Sequence, residues 1–376
     1  MTNSIYINPP PLYVPRTMHG IAWHHDEAYL IGGWDGTKQF SDIWRTKGGD
    51  PSGEWGELWF PIPEDPDFGQ QQRSRLTRLK RWLGLDSQDS KVARHAAGND
   101  LFSGRSYLLA QSFRGHLHFV GGYNTNYPGF VIKDHWSTGT GGRYLARWQP
   151  PPWEAREAYG LAASEDAMVL VGGVTYLDPD SKTHLRAFDD VWTFDHSGKW
   201  SLTLNDAPWG KRRSMGWEYL DGYFWLWGGF DSWNNPHSDL WRWDGDSTPE
   251  QMETPRWPAR AGFFFCAANG RLWTMGGIKS VSGRKQGEMV AEVWSYQPST
   301  NQWFQHDSAP WTGRIGSRAL VKPGNPDTIY IVGGMSGAKP NRISHGDVWS
   351  TQNGDSWKRH HSSSLDIARP EETAIP

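Results

Sequence analysis

The sequence predicts an all-β fold of six four-stranded units closed into a ring. Three observations carry this. A Gly-Gly pair ends an apolar run six times, at Gly32-Gly33, Gly121-Gly122, Gly172-Gly173, Gly228-Gly229, Gly276-Gly277 and Gly333-Gly334. Each pair is followed by an acid-x-Trp triplet: Asp42-Trp44, Asp134-Trp136, Asp190-Trp192, Asp239-Trp241, Glu292-Trp294 and Asp347-Trp349. By subtraction, successive pairs stand 89, 51, 56, 48 and 57 residues apart, so four of the five spacings fit a repeat near 50 residues.

Each repeat reads as four strands. The first is an apolar run such as "GIAWHH" or "AGFFFCAA". The second ends at the glycines, as in "AYLIGG" or "RLWTMGG". The third holds the triplet. The fourth carries a later tryptophan: Trp55 or Trp59, Trp148, Trp200, Trp303 and Trp357, with Met252 standing in for the fourth repeat. Glycine tolerates positive φ and lets neighbouring backbones approach. Tryptophan supplies large faces for packing sheet on sheet. The chain has 25 Trp, 43 Gly and 25 Pro in 376 residues, a usage that suits short strands joined by turns. One such sheet cannot bury both of its faces alone. Six in a ring can, and only short edges stay exposed.

The "IGG", "VGG" and "WGG" pairs followed by "DIW", "DVW" or "DLW" resemble kelch repeats, over about residues 14 to 360. The resemblance implies a single six-bladed kelch-type β-propeller with four antiparallel strands per blade. The blades would occupy about 14–62, 102–152, 153–208, 209–256, 257–310 and 311–364, with a C-terminal tail at 365–376. "SIYIN" at Ser4–Asn8 could add an edge strand. On function the resemblance is broad. Kelch propellers include protein-binding adaptors, oxidases, sugar-acid isomerases and specifier proteins, and sugar-acid mutarotases are the nearest analogy in fold. No adaptor domain precedes the repeats, so that architecture is not expected. The specifier loop pattern E-x-x-x-D-x-x-x-H is absent from the six loops after the glycine pairs. The single cysteine, Cys266, gives no support for a copper-radical oxidase and reads as a buried core thiol.

A second regularity precedes the glycines. Arg16, Arg105, Arg156, Arg212 and Arg260 each lie 16 residues before the first glycine of their repeat. Arg314 lies 19 before, and the longer turn "KPGNPD" accounts for the difference. An aromatic stands three residues ahead of each arginine: Tyr13, Phe102, Trp153, Trp209, Trp257 and Trp311. In kelch propellers this segment and the loop after the glycines open on one shared mouth. Two readings stand. Either the six guanidiniums focus a positive field that captures a carboxylate, sulfate or phosphate, or they pair with the acids of the triplets and lock blades together. The aromatics serve as packing or as a ligand platform.

The loops after the glycines add candidates. Trp34, Tyr123 and Phe230 open three of them as ligand-facing aromatics. Asp35 and Asp231 follow in the first and fourth repeats, opposite one another in a six-membered ring. Paired acids near arginines could transfer protons. Alternatively, each caps its own turn. His237 and His345 each lie two residues before a triplet, and His184 lies in a comparable loop. Any of them could act as acid or base. "HHDE" at His24–Glu27 looks like a metal motif but falls at the turn between first and second strands, away from the mouth. No metal and no cofactor is expected.

The long spacing holds an insertion, about 63–100, between the first and second repeats. Leu76, Leu79 and Leu83 recur at helical intervals, and Arg73, Arg75, Arg78, Lys80 and Arg81 make the segment basic. It reads as a docked helix, a lid, an oligomer contact or a weak binder of anionic surfaces.

Net charge is −3 and the sequence pI is about 6.5, so the charge balance signals neither nucleic acid nor membrane. No apolar stretch approaches the roughly 18 residues of a membrane span. The N-terminus lacks a basic segment followed by an apolar one. A soluble cytoplasmic protein is expected. The functional expectation is a site at the mouth for an anionic or sugar-like small molecule, with acid-base isomerisation or elimination as its chemistry. Two alternatives stay open: a scaffold that grips an acidic protein segment through the mouth or the basic insertion, and a lectin.

Overall fold

The computed structural model describes residues 13–58, 102–127, 129–138, 145–178, 181–253, 257–279, 287–338 and 341–361. Ser4–Asn8, the basic insertion and the C-terminal tail lie outside the described residues. Within them the architecture is all-β, with six four-stranded antiparallel sheets. Sheet 1 runs Gly20–His24, Glu27–Ile31, Ile43–Thr46 and Trp55–Leu58, each strand paired with the next. Sheets 2 to 6 repeat that order, and their first strands are Leu109–Phe113, Gly160–Ala163, Gly216–Leu220, Phe264–Ala268 and Arg318–Lys322. In every sheet the second strand stops at the residue before the glycine pair, and the third strand holds the tryptophan of the triplet.

The first strands pack side by side in chain order, and that of sheet 6 packs against that of sheet 1. The hydrophobic core lies between consecutive sheets rather than within them. One cluster joins Ile31 and Ile43 of sheet 1 to Leu117 and Trp136 of sheet 2. Another joins Val169 of sheet 3 to Trp217 and Phe224 of sheet 4. A third joins Leu30 and Trp55 of sheet 1 to Leu320 and Val348 of sheet 6. Burying a tryptophan removes about 150–250 Å² from water. Trp217, Trp225, Trp227, Trp243 and Trp273 are all but fully buried here. Each face too apolar for water is thus covered by its neighbour.

The glycine pair makes this packing possible at the loop end. Gly32 has φ +59°, and a Cβ there would stand 2.7 Å from the backbone oxygen of Arg105 in the next sheet. The N–H of the following Gly33 donates to that same oxygen at 2.7 Å. At the closure, Gly334 N–H donates to the Arg16 oxygen at 3.0 Å, and a Cβ on Gly333 would lie 2.5 Å from it. Only glycine fits so close to the adjoining backbone.

Above each sheet, the residue after the repeat arginine pairs with the loop after the glycines. Thr17 pairs with Trp34, Ser106 with Tyr123, Glu157 with Val174 and Arg213 with Phe230. Ala261 pairs with Ile278, and Ile315 with Met335. The loops also touch laterally: Gln39 Nε2 donates to the Tyr123 oxygen at 2.8 Å, and Ser344 Oγ to the Asp35 oxygen at 2.9 Å. This layer is called the loop face below. Among the described residues no helix is long and apolar enough to cross a membrane.

Candidate ligand site on the loop face

The six repeat arginines are buried, at most 2 % exposed. Each forms an ion pair with the acid of its own triplet. Arg105 Nη1 and Nη2 hold the two oxygens of Asp134 at 2.6 and 3.0 Å. Arg16 holds Asp42 at 2.5 and 2.9 Å, and Arg156 holds Asp190 at the same two distances. Arg212 holds Asp239 at 2.8 and 2.9 Å, and Arg314 holds Asp347 at 2.7 and 3.2 Å. Arg260 reaches Glu292 at 2.5 Å through one nitrogen. Each guanidinium also donates to the oxygen of the first glycine of its pair. The acid in turn accepts the indole N–H of its own Trp, as Asp134 does from Trp136 at 2.8 Å. For Asp239 and Asp347 burial pushes the carboxyl upward but the arginine outweighs it, and for Glu292 Lys279 and then Arg260 do so, which holds each below its ordinary range.

This corrects one of the two expectations for Arg16, Arg105, Arg156, Arg212, Arg260 and Arg314. They do not offer free forks to a ligand. Each is neutralised and buried, and each ties strand entry, glycine turn and third strand into one unit. The aromatics ahead of them are packing residues too. Tyr13, Phe102, Trp153, Trp209, Trp257 and Trp311 are all buried.

The loop acids are committed to their own turns. Asp35 Oδ1 accepts the N–H groups of Thr37 and Lys38 at 2.6 and 2.7 Å. Asp231 Oδ1 accepts those of Trp233 and Asn235, both at 2.8 Å. Burial would raise the Asp231 carboxyl, but the bonds from Asn235 and Trp233 prevail and lower it. A general base at neutral pH needs the opposite shift. His345 is buried, with Nε2 2.8 Å from Ser336 Oγ. His237 is half-buried, and burial followed by the Arg212 charge keeps it neutral. The structure does not bring these four into one constellation. Trp34 sits half-buried in its ladder, and the backbone of His184 lies in the strand Ser181–Ala187. His24–Glu27 forms the turn between the first two strands of sheet 1. Among the described residues no group of three or more His, Cys, Asp or Glu could hold a metal ion.

A different set does converge. The residue two after each repeat arginine is left-handed in all six sheets: Met18, Tyr107, Ala158, Ser214, Gly262 and Gly316, with φ between 54° and 66°. The N–H of Met18 donates to the Gly316 oxygen and that of Tyr107 to the Met18 oxygen, both at 2.8 Å. Ser214 donates to Ala158 at 2.8 Å and Gly262 to Ser214 at 3.0 Å. This belt crosses from sheet to sheet. A left-handed non-glycine residue costs roughly 1–2 kcal/mol, and the belt's hydrogen bonds offset that strain.

Tyr107 is the largest side chain on the belt. Burial raises its phenol pKa, and Glu157 adds to the rise, while Arg213, Arg342 and Arg318 act against it. Charges from three other sheets therefore act on one phenol of sheet 2: Glu157 from sheet 3, Arg213 from sheet 4, and Arg318 and Arg342 from sheet 6. The Tyr176 hydroxyl donates to Glu157 Oε1 at 2.7 Å. The Tyr123 ring lies edge-on to Tyr107 at 6.2 Å, and Arg213 stacks over Phe230 at 5.2 Å. Two of the loop aromatics singled out in the sequence thus belong to this cluster. Arg213 reaches Asn234 Oδ1, and Arg318 Nε donates to the His19 oxygen at 3.1 Å. Among the described residues no carboxylate is in ion-pair range of Arg213, Arg318 or Arg342. The Nε atoms of Arg213 and Arg342 are buried without a partner.

Below the belt, the first strands enclose a cavity of about 270 Å³. Its wall mixes apolar side chains with polar surface in nearly equal parts, and Arg318 and Glu218 are its charged groups. Burial lowers the Arg318 pKa to about 10, which leaves the guanidinium charged at neutral pH. Burial also raises Glu218 to about 7, and its carboxyl oxygen accepts from the Tyr219 N–H at 3.1 Å. Cys266 is pushed up by burial and then by Glu218, so its thiol stays protonated.

Comparative searches add no assignment: no protein-family model matches the chain, and no curated protein matches it.

Proposed function

We propose that the chain is a six-bladed propeller of the kelch type whose loop face binds a small, oxygen-rich anion at Arg213, Arg318 and Arg342 around Tyr107. The cyclic packing of the first strands and the repeated arginine–acid–tryptophan units support the propeller reading. One observation carries the site. The charges of three guanidiniums from two sheets act on one phenol, and among the described residues no carboxylate is in ion-pair range of any of them, Glu157 accepting from Tyr176 instead. A partly desolvated cation without a counter-ion is costly, and a bound carboxylate, sulfate or phosphate removes that cost. Proton transfer at this site would run through Glu157 and Tyr176, not through Asp35 or Asp231.

Titration calorimetry with a panel of carboxylates, sulfate and phosphate tests the site. A bound anion should lose roughly ten- to a hundredfold in affinity on Arg213→Ala or Arg342→Ala, the equivalent of roughly 1.5–3 kcal/mol per charge-assisted contact. Anion binding that persists when both are replaced would overturn it.

A second reading has one observation in its favour. Trp233 is 83 % exposed, on a turn held by Asp231, and Leu177 is 59 % exposed in the hairpin of sheet 3. An exposed, rigidly held tryptophan suits the anchor of a protein interface. If the face grips an acidic peptide, Trp233→Ala should weaken that peptide and leave small anions untouched. The other described tryptophans are at least half-buried, so packing accounts for most of the content that suggested a lectin.

A further inference from the structure

The cavity below the belt has an acid and a base at different depths. Arg318 pairs with Val332, the residue just before its glycine pair, so it occupies the first rung of the inner strand of sheet 6. In sheet 4 the first rung is Gly216, paired with Trp227, and Glu218 lies on the third. Two rungs separate the charges along the axis, or roughly 7 Å at about 3.4 Å per residue. Between and around them the wall is Ile21, Leu109, Phe264, Phe265 and Leu320, with Trp23 and Tyr219 further down.

Neither charge has a counter-ion. Among the described residues no Lys, Arg or His is in ion-pair range of Glu218, and no acid is in range of Arg318. They do not neutralise one another either, since neither appears among the charges that act on the other. Burial disfavours the charged form of both groups, and a ligand that meets both at once relieves two penalties together. The cavity volume is just below the range of drug-sized pockets, so the ligand is small.

We infer that the ligand is a zwitterion: its carboxylate sits at Arg318 and its ammonium at Glu218, with a short aliphatic chain between. An extended chain of five or six bonds spans about two residues of strand, which covers the axial part of the separation. This rests on the anion reading above and adds the ligand's opposite end. Trp23, Tyr219 and Phe265 supply ring faces that favour an ammonium over a neutral end. The other titratable groups on the wall are Cys266 and Tyr219, and the Lys322 ammonium lies 5.9 Å from the Trp23 ring. With Glu218 near 7 when the cavity is empty, an ammonium ligand binds best above that pH and expels a proton as it enters below it.

The test compares 5-aminopentanoate with pentanoate, which lacks only the ammonium, by titration calorimetry at pH 8 and pH 6. The amino acid should bind at least tenfold more tightly at pH 8, and the gap should narrow at pH 6. Glu218→Gln should close the gap at both pH values and leave pentanoate unchanged. That variant should fold, because Glu218 is half-buried and among the described residues holds no ion pair, and an unchanged or higher melting temperature is the check. Arg318→Ala should weaken both ligands. Equal binding of the two ligands, with Arg318→Ala weakening both, overturns the zwitterion and spares the anion site. Affinities that ignore Arg318→Ala, or no binding by either ligand, overturn the zwitterion, and the anion site is then decided by the sulfate and phosphate titrations with Arg213→Ala and Arg342→Ala.

Discussion

Two sets of arginines meet near the loop face, and their surroundings differ in one respect. The repeat set has a carboxylate within 2.8 Å of every guanidinium. The set around Tyr107 has none in ion-pair range among the described residues. Arg212 and Arg213 are adjacent in the chain and belong to opposite sets. Arg212 is buried against Asp239, while Arg213 turns to Asn234 and the Phe230 ring. Strand alternation separates them, because successive side chains leave the backbone on opposite sides. The difference shows that density of positive charge is a poor guide to an anion site. What counts is the charge left after internal pairing.

The largest effect that could break this division lies in the repeat set. Arg105 and Asp134, at 2 % and 5 % side-chain exposure, are as completely buried as Arg314 and Asp347 and more so than the other four pairs. Arg105→Ala leaves Asp134 with the Trp136 indole as its remaining side-chain donor. Breaking a buried pair costs about 3–5 kcal/mol, so urea unfolding should show a loss of that order. Anion affinity should stay the same in whatever protein remains folded. A loss under about 1 kcal/mol would mean that the repeat arginines are not structural.

Next in size is the set around Tyr107. Arg318→Lys keeps the charge and loses the fork, and an ammonium cannot grip a carboxylate through two parallel bonds. Anion affinity should fall by about ten- to a hundredfold, nearly as far as with Ala, which corresponds to roughly 1.5–3 kcal/mol. Thermal stability should hold or rise, because an ammonium in this half-buried position sheds its charge more easily than a guanidinium. Full retention of affinity by the Lys variant would return Arg318 to a packing role.

The ring was legible in the sequence because its parts recur. Glycine pair, triplet and arginine each appear six times, and each turns out to contact the others within one sheet or across to the next. The ligand candidates were not legible in that way, because they do not recur. Arg318 stands where the other first strands have Gly20, Leu109, Gly160, Gly216 and Phe264. Glu218 stands where they have Ala22, Gln111, Ala162, Cys266 and Leu320. Arg213 stands where the residue after the arginine is Thr17, Ser106, Glu157, Ala261 or Ile315. A repeated residue answers a need that every sheet has. A charge present in one sheet and absent from its equivalents answers something else. Reading the six repeats against one another for such exceptions would have found Arg318 and Glu218. Only the fold brings Tyr107 beside Arg342, which comes from a loop over 230 residues later by position.

Acid stability sharpens the comparison from another side. The pairs formed by Asp239, Glu292 and Asp347 have carboxyls below their ordinary range, so their contribution is present above the unfolded carboxylate pKa of about 4 and lost only as pH falls below it. The opposite end of the molecule behaves differently. Burial holds His118 near 3 and His24 near 4. His118 Nδ1 lies 2.8 Å from His135 Nε2, and Trp200 donates to the other nitrogen of His135 at 3.2 Å. These imidazoles stay neutral when folded and take a proton when unfolded, starting below about pH 6.5. Stability therefore rises with pH across that window and falls as pH drops, by up to about 1.4 kcal/mol per unit for each such histidine. Melting temperatures at pH 7.5 and 5.5 should differ accordingly, and His118→Gln should flatten the slope. A flat wild-type profile between those values would show that the histidines are not held neutral, and any acid loss would then belong to the ion pairs below pH 4.

The smallest expected effect concerns Asp231, and it separates turn chemistry from site chemistry. Its Oδ1 accepts two backbone N–H groups and its Oδ2 one side-chain N–H from Asn235. Asparagine keeps the Oδ1 acceptor and loses the charge. Stability should therefore shift by no more than about 0.5 kcal/mol, the usual range for a surface position. Anion affinity should shift less than about twofold, because the carboxylate serves its own turn and faces none of the three unpaired arginines as an ion pair. The variant also loses a negative charge near His237, whose pKa Asp231 and Asp239 both raise against burial and Arg212. Its imidazole should titrate at slightly lower pH, which NMR can follow. If Asp231→Asn instead reduced turnover of any substrate by a hundredfold or more with binding intact, Asp231 would be a proton-transfer group. The reacting centre would then lie in the loops after the glycine pairs rather than at the Tyr107 belt.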